Sequence, residues 1–129
     1  MANILFSAAA ADASLVANFD PAADTLVFDT SSAAGTKVIP QGSSTTFQVG
    51  SASVTLPIAL AALAASNTSF NDGSVLVIGD NASGTTGDEA ANTIDLSTGT
   101  TQANANQVFG LGGNDVISMG SGASVVYGN

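Results

Sequence analysis

Residues 104–127 read NANQVFGLGGNDVISMGSGASVVY, and this stretch decides the predicted fold. Single aliphatic residues recur in it every nine positions, at Val108, Ile117 and Val126. A polar residue stands two places before each of them, and turns rich in small and polar residues separate the copies. A short fixed period with one aliphatic residue per copy is typical of a parallel β-coil, in which stacked turns bury a ladder of aliphatic side chains.

The glycine-rich turns of this repeat also predict a metal site. Glycine permits the left-handed backbone of a sharp turn, and such a turn exposes carbonyl oxygens. Asp115 adds a carboxylate to the turn at residues 110–115, so two stacked turns offer a shell made only of oxygen atoms. Calcium accepts about six to eight oxygens in flexible geometry, whereas magnesium demands a stricter octahedron. The repeat therefore predicts Ca2+ as the cofactor, and a stacked coil without metal is the alternative reading.

Neighbouring turns supply further candidate ligands. Residues 87–95 read GDEAANTID and have the character of an earlier turn, separated from the next one by one period plus an insertion of five residues within 97–103. Asparagine side chains offer neutral carbonyl ligands, which favours a modest affinity. The candidate metal ligands are Asp80, Asp88, Asn92, Asp95, Asn104, Asn106, Gly110, Gly112, Gly113 and Asp115.

Charge and composition exclude several classes of function. Lys37 is the only basic residue against ten acidic ones, and the net charge is −9. Nothing here can neutralise phosphates, so we expect neither nucleic-acid binding nor attraction to anionic membranes. The chain has no Cys, His or Trp, which removes thiolate sites, zinc, haem and histidine bases. The adjacent pair Asp88 and Glu89 reads better as a turn or ligand than as an acid–base pair, so we predict that the protein is not an enzyme.

Short strands separated by turns fill the rest of the chain. A hairpin is predicted around Gly50, because apolar and polar residues alternate on both sides of it. Pro57 followed by alanines and leucines predicts a short helix over residues 57–66. The other predicted strands are at 4–6, 15–19, 26–28, 37–39 and 75–78, with turns at 20–24 and 71–73.

These elements predict an all-β fold in two parts. Residues 1–79 are expected to form a β-sandwich or solenoid-like module with one short helix, which runs into a parallel β-roll over residues 80–129. No apolar run reaches the length of a membrane-spanning helix, so we expect no membrane insertion.

Residues 110–118, GLGGNDVIS, resemble the hemolysin-type (RTX) calcium-binding repeat, Gly-Gly-x-Gly-x-Asp-x-aliphatic-x. Leu111 replaces the second glycine of that pattern, and Ser124 replaces the aspartate in the next copy. The start MANILF and the segments at 19–28 and 70–81 are similar to the leading region of exported bacterial proteins of this family. The resemblance implies calcium-coupled folding outside the cell and Type I-like export without a cleaved N-terminal signal.

A stacked coil leaves open strand edges unless something caps it. A strand is expected almost at the first residue, and the last residues lie within a repeat, so we expect ends that can stack head to tail. The expected function is an extracellular calcium-binding structural protein that assembles with itself into fibres or matrix on binding calcium. The alternative is a monomeric calcium-binding module of an exported protein or adhesin.

Overall fold

The computed structural model describes residues 2–79, 90–99 and 103–127. Within these ranges the fold is mainly β, as predicted, with one short α-helix, α1 (Phe6–Ala11), and 3-10 helices at Ala13–Val16 and Leu60–Ala62. The strands are β1 (Asn3–Leu5), β2 (Thr25–Phe28), β3 (Lys37–Gln41), β4 (Ser44–Val49), β5 (Ala52–Leu56), β6 (Thr68–Phe70), β7 (Leu76–Ile78), β8 (Thr93–Asp95), β9 (Gln107–Phe109), β10 (Val116–Ser118) and β11 (Val125–Tyr127). Among the described residues, no helix is long and apolar enough to cross a membrane.

These strands form four small sheets. Three are parallel, with the strand orders β1-β2-β6, β11-β9-β7 and β10-β8. The fourth is the antiparallel meander β3-β4-β5, which contains the predicted hairpin. Gly50 lies in the hairpin turn with a φ of 60°, in the left-handed region where glycine has no steric penalty.

Aromatic rings fill the core of the first part of the chain. The Phe28 ring stacks on Phe70 with centroids 4.3 Å apart, and on Phe6 with centroids 5.3 Å apart. Phe47 from the meander meets the Phe28 ring edge-on at 5.2 Å. Residues alternate on β2 and β4, so each strand turns its apolar side chains to this core. The meander is thereby packed against the first parallel sheet.

The predicted helix at residues 57–66 is reduced to a single 3-10 turn, because Asn67 offers the backbone other partners. The Asn67 side chain is buried, its Oδ1 accepts the N–H of Ala64 at 2.8 Å, and its Nδ2 donates to the Ala62 carbonyl at 3.2 Å. Ala59 and Leu63 are extended. A buried backbone must find hydrogen-bond partners, and here one side chain supplies them without a helix.

The predictions near the N-terminus are also corrected. The predicted strand at 4–6 ends one residue early, since Phe6 begins α1. The predicted strand at 15–19 is replaced by the 3-10 helix at Ala13–Val16, which the side chain of Asp12 caps by accepting the Ser14 N–H at 3.1 Å. Asp is among the favoured capping residues, because its carboxylate satisfies a free amide of the first turn.

From β7 onward, successive strands alternate between two parallel sheets. Val77, Val108 and Val126 are register partners in one sheet, and Ile94 pairs with Ile117 in the other. Each aliphatic residue that defines the nine-residue period is therefore the centre of a strand. Val77, Ile94 and Val108 form a small core between the two sheets.

The sheet of β7 and β9 is buried on both faces. Leu76, Ile78 and Phe109 turn away from the small core and join the large core, which also contains Phe28 and Phe47. Residues on both sides of position 80 therefore share one apolar core. Residues at 80–89, including the candidate ligands Asp80 and Asp88, lie outside the described residues.

Candidate functional site at the stacked turns

Two glycines mark where the turns of the repeat stack. Gly113 has a φ of 90°, and a Cβ placed on it would lie 2.5 Å from the Ala90 carbonyl carbon and oxygen. A Cβ on Gly122 would fall on the carbonyl of Asn104. Only a residue without a side chain permits such a close approach of two backbones. The turns thus form two stacks: the acidic column, made of residues 90–92 and 112–115, and the neutral column, made of residues 73–75, 103–106 and 121–124.

A ladder of side-chain hydrogen bonds holds the neutral column together. The Oδ1 of Asn106 accepts the backbone N–H of Val75 at 2.9 Å, and the Oγ of Ser124 accepts the N–H of Asn106 at 3.2 Å. The Ser124 hydroxyl also lies 3.3 Å from the Asn104 carbonyl, to which it donates. Asn104 donates through its Nδ2 to the Gly73 carbonyl at 2.8 Å. Each turn is therefore bonded to the turn before it by neutral groups.

Asp115 makes the same bond in the acidic column, but with a carboxylate. Its Oδ1 accepts the backbone N–H of Asn92 at 2.9 Å. Its Oδ2 is buried and has no hydrogen-bond partner within the described part of the chain. Burying an ionised carboxylate oxygen without a partner is costly, whereas a bound cation would satisfy it. Asn106 and Ser124 thus fill this position of the ladder with neutral groups. Asp115 fills it with a carboxylate, one oxygen of which has no partner among the described residues.

The donors around Asp115 fit a hard cation. Besides the free Oδ2, the Ala90 carbonyl lies against Gly113, where it accepts the Nδ2 of Asn92 at 3.0 Å and keeps a second lone pair. Among the described residues no three or more of His, Cys, Asp and Glu lie together as a metal-binding group. An ion here would therefore rely chiefly on carbonyl oxygens with one carboxylate, a donor set that calcium accepts.

The other predicted ligands are spread over three places. Asn104 and Asn106 belong to the neutral column, where both side chains are engaged in the ladder. Asp95 lies at the far end of β8 from Asn92, and its carboxylate accepts hydrogen bonds from the hydroxyl and backbone N–H of Ser97. Those bonds, the hydroxyl first, lower the pKa of Asp95. The turn at 112–115 holds Gly112, Gly113 and Asp115, while the buried Gly110 donates its N–H to the Tyr127 carbonyl at 2.8 Å.

Leu111, at a position where the repeat pattern has glycine, has the left-handed backbone conformation that favours glycine. Its φ is 63°, and among the described residues it is the only non-glycine residue with positive φ. An L-residue in this region is strained, typically by about 1–2 kcal/mol. Its side chain is partly buried against the large core. Apolar contact therefore offsets part of the strain at this position.

Comparisons of the chain with protein-family models, curated proteins and solved structures find no match. The function proposed below therefore rests on the residues of this chain.

Sequence reasoning missed the ladder itself. From the sequence, Ser124 was interpreted as the loss of a metal ligand, because it replaces the aspartate of the pattern. In the structure it bonds two turns of the neutral column together. The available signal was positional, because Asn106, Asp115 and Ser124 all stand two residues before a strand centre. Serine, asparagine and aspartate share one property, a short side chain with an oxygen that can accept from a nearby backbone N–H.

Proposed function

We propose that this protein is an extracellular calcium-binding structural protein without catalytic activity, and that its C-terminal part is a parallel β-roll with two strands per turn. The strand register supports the roll. β9 and β11 are neighbours in one sheet, and β10, which lies between them in the sequence, belongs to the other sheet. One circuit of the coil then takes eighteen residues, the separation of the partners Asn106 and Ser124.

The buried Oδ2 of Asp115 is the observation that carries the calcium proposal. We assign the proposed ion to the acidic column, between the turns at 90–92 and 112–115. Asp115 is the charged ligand there, carbonyls of the two turns complete the shell, and Asp80 and Asp88 remain candidate ligands. Calcium would cancel a buried charge in a chain whose net charge is −9, so ion binding and folding are coupled.

The neutral column requires no ion, because Asn106 and Ser124 already join its turns. The coil in this proposal is therefore held on one side by hydrogen bonds alone and on the other by a hydrogen bond plus calcium. The calcium concentration is low inside a cell and higher outside it. The complete coil would therefore be favoured only after export.

Self-assembly head to tail is the second part of the proposal. Strands β10 and β11 each have one paired neighbour among the described residues, and exposed apolar side chains lie on both. The alternative is a monomeric calcium-binding module of an exported protein or adhesin. Light scattering with and without calcium separates the two, since only the fibre subunit grows in size when the ion is added.

A calcium titration of matched variants tests the site. Asp115→Asn keeps an Oδ1 that can accept the Asn92 N–H but removes the negative oxygen. We expect calorimetry to show calcium binding to the wild type and none to Asp115→Asn. Calcium at 100 times its Kd stabilises a protein by about 2.7 kcal/mol, so the wild type should melt higher with calcium than with chelator.

Asp12→Asn is the matched control, because it makes the same chemical change at a carboxylate bonded to Ser14 and outside the candidate ligands. It should bind calcium as the wild type does. A wild type whose melting temperature and spectrum are the same in calcium and in chelator would overturn the proposed function, and so would full binding by Asp115→Asn.

A further inference from the structure

The exposed large apolar side chains concentrate on the outer strands of the parallel sheets. Among the described residues five are exposed: Leu5, Leu15, Val116, Val126 and Tyr127. Leu5 lies on β1, the first strand of its sheet, and the last three lie on β10 and β11. Val116 is the most exposed, at 59%. Exposed apolar groups that gather on strand edges mark surfaces that pair with another chain.

In each bond of the ladder, a side chain of a later turn accepts the backbone N–H of an earlier turn. The turns that precede β10 and β11 therefore keep backbone N–H groups as free donors within the described ranges. Asn106 satisfies the amide of Val75, Ser124 satisfies that of Asn106, and Asp115 satisfies that of Asn92. The equivalent amides of Asp115 and Ser124 meet no acceptor within the described part of the chain. Both amides directly precede the outer strands β10 and β11. We call the surface formed by these two strands and their preceding turns the coil face, and among the described residues no strand pairs with its outer edge.

The outer strand β3 carries protection that β1 and the coil face lack. The outer strand β3 contains Lys37, the only basic residue of the chain, and Pro40, which has no N–H to offer. Charges, prolines and covering elements are the usual means by which edge strands avoid pairing. Strands β1, β10 and β11 contain no charged residue and no proline.

We propose that the coil face of one copy binds the β1 edge of a second copy, which adds to it as a parallel strand. The inference rests on the proposed self-assembly and names its two surfaces. The partner is another copy of this chain, because β1 resembles β10 and β11: it is an uncharged three-residue edge strand that already pairs in parallel, with Leu5 exposed. The two surfaces differ, so the contact does not close and copies join into a filament.

Calcium and assembly are linked at this surface. Asp115 directly precedes β10 and carries the only charge of residues 103–127. Copies with a net charge of −9 repel one another, and calcium bound at Asp115 would reduce that repulsion at the coil face.

Two lysine variants that block opposite surfaces test the proposal. Leu5→Lys places a charge on β1, and Val116→Lys places one on the coil face. Ser51→Lys adds the same charge in the exposed turn between β4 and β5 and serves as the control. We expect sedimentation velocity in calcium to show long assemblies for the wild type and Ser51→Lys, and monomers for Leu5→Lys and for Val116→Lys alone.

An equimolar mixture of the two blocked variants gives the decisive result. The intact β1 of Val116→Lys can bind the intact coil face of Leu5→Lys, so the mixture should form one-to-one dimers and nothing larger. Assembly by Leu5→Lys alone, or a mixture that stays monomeric, overturns the proposed pairing. The milder changes Leu5→Ser and Val116→Ser replace any lysine variant that loses the wild-type circular dichroism spectrum, and each should assemble less than the wild type.

The wild type separates the two proposals. A wild type that binds calcium but stays monomeric overturns this inference and leaves the calcium site standing. A wild type that does not bind calcium overturns the proposed function itself.

Discussion

The side-chain oxygen of Asn106 accepts the backbone N–H of Val75 at 2.9 Å, across 31 positions of the sequence. Asn106 is completely buried, so water cannot replace this bond. A neutral amide thus joins two stacked turns at a position where the best copy of the repeat has Asp115. The bond explains how the neutral column can stack without a cation.

Asn106→Ala should destabilise the protein by about 1–3 kcal/mol, because the buried amide of Val75 loses its acceptor. Urea unfolding should show the same loss in calcium and in chelator, since no ion is expected in the neutral column. Ser124→Ala is the comparison: Ser124 is only partly buried, so water can replace part of its bond and the loss should be smaller. An effect of Asn106→Ala that appears only with calcium would contradict this account.

Leu111→Gly should be more stable than Leu111→Ala by about 1 kcal/mol. Both variants lose the contact of the leucine side chain with the large core, but only glycine relieves the strain of a φ of 63°. Thermal unfolding of the two variants measures the difference directly.

The control for Leu111 is the same pair of substitutions at Val116, an exposed strand position. Alanine should be the more stable residue there, since glycine in a strand costs about 0.5–1 kcal/mol. The same order at both positions would mean that Leu111 is unstrained.

Gln107→Ala should lower the free energy of unfolding by about 2–4 kcal/mol. The Nε2 of Gln107 is buried and donates to the Ala33 carbonyl at 2.6 Å and to the Thr36 carbonyl at 2.9 Å, and the substitution leaves both without this donor. Because this residue joins β9 to a loop of the first part of the chain, unfolding of the wild type should be a single transition. Two separate transitions in calorimetry would show that the parts fold independently.

Acid should destabilise the protein as the pH falls below about 4. Hydrogen bonds from Ser14, Ser7 and Ser97 lower the pKa values of Asp12, Asp29 and Asp95 from the ordinary value of 3.8. A lowered pKa in the folded state contributes stability that is present above the unfolded value and is lost as the pH falls through the folded value. Melting temperatures between pH 7 and pH 2 in chelator measure this loss.

Serine variants test whether these hydrogen bonds cause the loss of stability in acid. Ser7→Ala removes the hydroxyl that is the main cause of the lowered pKa of Asp29, so its melting temperature should fall less between pH 5 and pH 2 than that of the wild type. Ser51→Ala, at an exposed turn, should follow the wild-type curve. Identical curves for Ser7→Ala and the wild type would contradict the assignment.

The period of nine was enough to find strands β9, β10 and β11, because the same local pattern recurs in each of them. Val108, Ile117 and Val126 were predicted as equivalent, and each is the centre of a strand. The hairpin around Gly50 was predicted for the same reason, because alternation and a turn glycine are also local features, and the structure confirms it. Neither prediction required knowledge of distant parts of the chain.

The segment at 57–66 shows where local patterns fail. Its alanines and leucines favour a helix in isolation, but the buried Asn67 gives their backbone other partners, and the Asn67 Nδ2 also donates to the Pro21 carbonyl at 3.2 Å. A contact across 46 positions cannot be read from helix propensity, which is a weak preference that tertiary contacts override.

For the candidate site, the sequence by itself determined the spacing of the turns, the glycines at their closest approach and Asp115 as the one carboxylate of the best copy. Only the tertiary structure decided that the turns fall into two columns, one joined by neutral hydrogen bonds and one that leaves a carboxylate oxygen buried without a partner. The reason is that spacing is a property of the chain, whereas the partner of a side chain depends on which turn lies beneath it. The pairing of Ile94 with Ile117 sets that stacking, and the identity of an asparagine or aspartate does not show which turn will lie beneath it.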